Sequence, residues 1–91
     1  MRNRGDKFWL WADATLSHRY HDEELADGTR IDVQVRLSRT GETQLFIGVY
    51  NSNGVLIVEE IYDSLPGETL TRAQAWGLNR AKSFALPNAA D

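Results

Sequence analysis

Both histidines of this 91-residue chain fall within His18-Arg19-Tyr20-His21, and Asp22, Glu23 and Glu24 follow at once. Imidazoles and carboxylates are the ligands zinc takes where thiolates are lacking, three or four to an ion. On a helix, His18, His21 and Asp22 stand at i, i+3 and i+4 and share one side. On a strand, His18, Asp22 and Glu24 face one way and His21 and Glu23 the other, so the imidazoles are separated. The chain has no cysteine and no third histidine, and Arg19 sets a positive charge where an ion would sit. We expect a charged strand end here, with no metal or other cofactor. His18, His21 and Asp22 are the candidate ligands if a metal does bind.

Other chemistry has little to stand on. The sequence has no G-x-S-x-G elbow, no G-x-G-x-x-G turn and no G-x-x-x-x-G-K-[ST] phosphate loop. Glu59 and Glu60 are adjacent, and on a strand they point to opposite faces, so they cannot work as a dyad. They read instead as charges that keep a sheet edge soluble. No catalytic residue is assigned, and the expectation is a protein that is not an enzyme.

The elements that position these residues are legible in the pattern. In Arg30–Ser38, Ile31, Val33, Val35 and Leu37 alternate with polar residues, as in a half-buried strand. Gly41 marks a turn, and Thr43–Tyr50 continues the buried face through Leu45, Ile47 and Val49. Asn53-Gly54 is a hairpin signal before a third strand over 55–62. Residues 69–85 have helical spacing, with Thr71 and Gln74 placed as a capping box. Ala73, Gly77 and Ala81 would form a nearly side-chain-free face that can lie close on a sheet. Residues 8–25 are ambiguous: Phe8, Leu10, Ala12, Ala14 and Leu16 alternate as in a strand, and the aromatic run is β-prone. The expected fold is α+β, an antiparallel meander of three strands and a fourth N-terminal strand, packed on one C-terminal helix.

A three-stranded antiparallel meander followed by a packed helix resembles the core of double-stranded RNA-binding domains, over roughly residues 30–86. The resemblance is topological and implies an α-β-β-β-α order as the alternative. The basic cluster that such a domain carries at the start of its last helix is reduced here to Arg72, with Arg80 and Lys82 two turns on.

Composition bounds the rest. With 42 % hydrophobic and 25 % charged residues the chain is globular rather than disordered. Its length suits a single domain over 1–91, ordered from about 7 to 86, with 1–6 and 88–91 as flexible ends. The apolar run after Arg2, Arg4 and Lys7 is too short for a signal peptide, and no segment approaches bilayer length. A soluble, cytoplasmic protein is expected.

The sheet's second face points to function. Phe46 and Tyr50 turn away from the helix, and the strand at 55–62 is apolar on both sides: Val55, Ile57 and Ile61 on one, Leu56, Val58 and Tyr62 on the other. Something must cover this face. The N-terminal segment with Trp9 and Trp11 could curl over it, or a protein partner or a second copy in a homodimer could dock there. Trp9, Trp11, Phe46, Tyr50 and Tyr62 are the candidate contacts for a small interaction or regulatory module. The alternative is a nucleic-acid binder using Arg72, Arg80 and Lys82, with Arg2 and Arg4 as a basic arm. The net charge of −3 weighs against it.

Overall fold

A computed structural model describes residues 3–85 of the chain. The elements run α1 (Asp6–Trp11), β1 (His18–Glu24), β2 (Arg30–Leu37), β3 (Thr43–Tyr50), β4 (Leu56–Tyr62) and α2 (Leu70–Ala85). The strands form one antiparallel sheet in sequence order, β1-β2-β3-β4. The expected α+β meander is present with its fourth strand. That strand occupies 18–24, and the aromatic run before it is helical. The order is therefore α-β-β-β-β-α, with one strand more than the resemblance implied.

Each hairpin turns on a glycine in the left-handed region: Gly28 (φ 90°), Gly41 (φ 85°) and Gly54 (φ 82°). Glycine adopts this conformation without the steric cost other residues meet there. With the turns so placed, Ile31, Val33, Val35, Leu45, Ile47 and Val49 share one face and are fully buried. Burying such a side chain is worth about 1.5–3 kcal/mol. α2 closes this face with Ala73, Gly77 and Ala81. Its cap is Thr69, two residues before the expected Thr71. Helical geometry starts at Leu70, so Thr69 Oγ1 accepts the Arg72 N–H at 3.1 Å.

β4 departs from simple alternation. Val58 stands opposite Val49 but Leu56 stands opposite Tyr50, so Ile57 is an extra, bulged residue. The bulge moves Leu56 to the face it shares with Ile61, away from the α2 side where Val58 and Tyr62 lie. It also helps blunt the β4 edge, where Lys7 donates to the Glu59 carbonyl at 3.2 Å. The opposite edge, β1, is almost entirely exposed and highly charged. Among the described residues no helix is long and apolar enough to cross a membrane.

Gly77 shows how tightly α2 lies on the sheet: a Cβ there would stand 2.9 Å from Leu45 Cδ1 and 3.0 Å from Val33 Cγ1. Gly77→Leu should therefore lower stability by about 1–3 kcal/mol through overpacking, although leucine is the better helix former. Urea denaturation with the two-state slope unchanged would read this out.

Candidate functional site

The second face of the sheet is polar on β2 and aromatic on β3. Asp32, Gln34 and Arg36 point to it, opposite Gly48, Phe46 and Gln44. All three β2 side chains are buried, although their alternation reads as a wet face. The chain covers them with its own N-terminus. Phe8 and Trp11, three residues apart on α1, both pack on Phe46, with ring centroids at 5.2 and 5.7 Å. Phe46 and Tyr50 are left with no exposed surface, and Trp11 with 4 %.

A helix of six residues is too short to persist by its own hydrogen bonds. Its N-cap, Gly5, has no side chain to satisfy the first N–H groups. Glu59 of β4 supplies that cap from across the sheet. Its Oε2 accepts the Gly5 N–H at 3.0 Å and its Oε1 the Phe8 N–H at 3.2 Å. At the other end, Arg36 of β2 donates from Nη1 to the Trp11 carbonyl at 2.6 Å. The anion sits at the helix N-terminus and the cation at its C-terminus, the polarity the helix dipole favours.

A second tie lies between them. Arg4 Nη1 donates to Asp32 and, at 3.0 Å, to Tyr50 Oη, while Tyr50 donates to Glu59 Oε2 at 3.2 Å. Gln34 Nε2 donates to Asp32 at 2.9 Å. Burial raises the Asp32 carboxyl above its ordinary value, and Arg4 and Gln34 offset this only in part. Burial likewise pushes the Tyr50 hydroxyl up to about 12. The Tyr50 ring reaches this cluster by lying over Gly48, where a Cβ would stand 2.6 Å from the hydroxyl oxygen.

Beyond α1 the face opens into a cleft of about 400 Å³, walled by Trp9, Trp11, His18, Gln34 and Arg36 and floored toward Arg4. Trp9 is 65 % exposed at its rim. Tyr20, equally exposed, stands beside His18 with ring centroids 5.8 Å apart. Arg36 lies 3.7 Å from the Trp11 ring centroid. Its Nε and Nη1 are held by neutral acceptors, Gln44 Oε1 and the Trp11 carbonyl. Among the described residues it has no carboxylate partner within 4 Å. Asp13 and Asp63 act on it from longer range, and burial lowers its pKa. The Trp11 indole Nε1 is buried without an acceptor.

Compared with family models, curated proteins and solved structures, the chain has no significant match.

The residues singled out from sequence are placed as follows. His18 and His21 fall on opposite faces, His18 near Trp11 and His21 against Glu23 at 3.2 Å. Asp22 is across from Asp32 and raises its carboxyl further. Among the described residues no group of three or more His, Cys, Asp or Glu could hold a metal ion. Phe46 and Tyr50 are interior, Trp11 keeps only 4 % exposure where it borders the cleft, and Trp9 remains at the surface. Tyr62 lies on the α2 face, edge-on to Trp76 at 5.4 Å, because the bulge ends the simple alternation that grouped it with Leu56.

Of the basic candidates, Arg80 is clamped by Glu60 at 2.6 and 2.9 Å, Lys82 meets Glu23 at 3.3 Å and Arg72 meets Glu68 at 3.6 Å. All three already face carboxylates. Arg4 belongs to the buried cluster, and Arg2 lies outside the described residues, as do 88–91. Within the N-terminal segment, the Asn3 N–H donates to the Gly54 carbonyl at 2.9 Å.

Sequence reasoning missed Asp32, Arg36 and Glu59, read as solvated, and took Arg4 for part of a basic arm. The available signal was register: polar residues of β2 that pair with Phe46 and Tyr50 must share whatever covers those rings. Glu59 and Glu60 do point to opposite faces, but each is a specific tie rather than a wet edge charge.

Glu59→Ala should release α1 and cost about 1–3 kcal/mol, since it removes a cap and leaves buried donors unpaired. Faster amide exchange at Phe8 and a red shift of tryptophan emission would report it. Glu60 should contribute to acid sensitivity, together with Asp13, Glu23 and Asp27, which are also held low. The Arg80 hydrogen bond holds the Glu60 carboxyl below the ordinary 4.5. Its contribution is present above pH 4.5 and is lost as pH falls through the folded-state value. The melting temperature should thus drop on acidification below about pH 4.5, and drop less in Glu60→Gln. Asp32, with a raised value, has the opposite sign and cannot cause this loss.

Proposed function

We propose that this protein is a small, non-enzymatic interaction module that receives a segment of a protein partner in the cleft beside α1. The observation that carries the reading is the composition of the cleft and its rim: Trp9, Trp11, His18, Tyr20 and Arg36 on one side of a small domain. Aromatic residues and arginine are what protein interfaces concentrate, and they dominate the energy of such contacts. Much of the aromatic second face is occupied by the chain's own α1, which leaves the cleft and its rim, and Leu56 at the β4 side, open. The walls are fixed, because α1 is held at both ends and Trp11 packs on Phe46. Preorganised walls reduce the ordering cost of binding. The volume is in the low part of the range for ligand clefts, which suits a few side chains of an extended segment. The basic residues of α2 support a nucleic-acid role less well, because each already faces a carboxylate.

Selection of random dodecapeptides displayed on phage against the full chain tests this. We expect enriched peptides whose affinity falls at least about tenfold for the double variant Trp9→Ala, Tyr20→Ala, since both side chains are exposed and their removal leaves the fold intact. Failure to enrich any peptide, or enriched peptides that bind the double variant equally well, would overturn the reading.

A further inference from the structure

Resting on that reading, we infer that the cleft recognises a carboxylate side chain of the partner segment, received by Arg36. Arg36 is 6 % exposed, yet its described hydrogen bonds go only to neutral groups. The other arginines with ion pairs on or near this face differ: Arg4 is matched by Asp32, Arg30 by Glu24 at 3.0 Å, and Arg39 by Asp13 at 3.5 Å. A buried cation held only by neutral acceptors keeps an unmet demand for negative charge. No described residue accepts from its Nη2, the nitrogen left after Nε and Nη1 are used.

Trp11 stands in the same wall, and its Nε1–H, closed off from solvent, lacks an acceptor in the chain. A carboxylate accepts from a guanidinium through charge-assisted bonds roughly twice as strong as neutral ones. Asp13, also in the wall, does not already fill the role. It is engaged by Thr15, through N–H at 2.9 Å and Oγ1 at 2.6 Å, and by Arg39. Asp32, the other carboxylate near the floor, is closed off at 1 % exposure beneath Arg4 and Gln34. Trp9 and Tyr20 flank the site with apolar surface, so the occupant is an acidic residue with large apolar neighbours in a protein chain. Salt screens the chain's other negative charges beyond about 8 Å, and Asp13 in the wall is balanced by Arg39.

The test uses the peptides enriched above. Each should carry an Asp or Glu, and changing that residue to Asn or Gln should weaken binding about tenfold or more. In nitrogen-15 NMR spectra of the wild-type chain, the acidic peptide should shift the Trp11 Nε1–H and Arg36 Nε–H signals, and its amide counterpart should shift them far less. In Arg36→Gln the acid-to-amide penalty should vanish. Should that variant undock α1, the wild-type comparison still decides.

Enriched peptides that bind at the cleft but contain no acid, or that tolerate the amide change, would overturn this inference and leave the broader reading standing. An absence of enriched peptides would overturn both. Sodium acetate shifting the two signals at the same concentrations as the acidic peptide would overturn the assignment to a protein segment.

Discussion

A sheet of four strands with one large helix on it leaves its second face bare, and here that face is hidden by a helix of only six residues. Everything on that side depends on one constraint: α1 cannot hold itself together, so the sheet must complete it. Glu59 supplies the missing cap at its first turn, and Arg36 answers the carbonyl at its last. The two side chains come from different strands, β4 and β2. Their charges match the dipole of the helix.

The polar residues beneath α1 follow from the same constraint. Once a helix sits over β2 and β3, Asp32 and Gln34 are cut off from water and must pair within the chain. Arg4, just before the helix, reaches Asp32 and Tyr50, and Gly48 leaves room for the Tyr50 ring. Burial still raises Asp32, so the pair holds α1 in place without making the buried charge comfortable. The α2 side works differently. There the contacts are aliphatic and close, and the charged ties of Glu60 with Arg80 and Glu23 with Lys82 lie at its margin.

The cleft exists because α1 stops at Trp11. The chain leaves in extended form at Ala12, with φ −60° and ψ 132°, and Trp9, Trp11, His18 and Arg36 line the opening, with Tyr20 next to His18. Arg36 thus has two sides: one completes the helix and the other borders the opening. This double position ties any event in the cleft to the docking of α1.

Alternation in 30–38 and 43–50 determined the central strands and the α2-facing core, because period-two burial is a local property of the chain. The glycine turns determined the hairpins for the same reason, and the small-residue spacing on α2 determined how closely that helix lies. The separation of His18 from His21 followed from a strand's geometry alone. The helical state of 6–11 was not legible. Its aromatic run has strand propensity, and the groups that override it, Glu59 and Arg36, lie about fifty and twenty-five residues away. The shift of Leu56 and the placement of Tyr62 were decided by a bulge that exists only in the pairing of β3 with β4. What covers a face, and which alternating polar residues are therefore buried, is set by contacts between distant parts of the chain, and only the tertiary structure contains them.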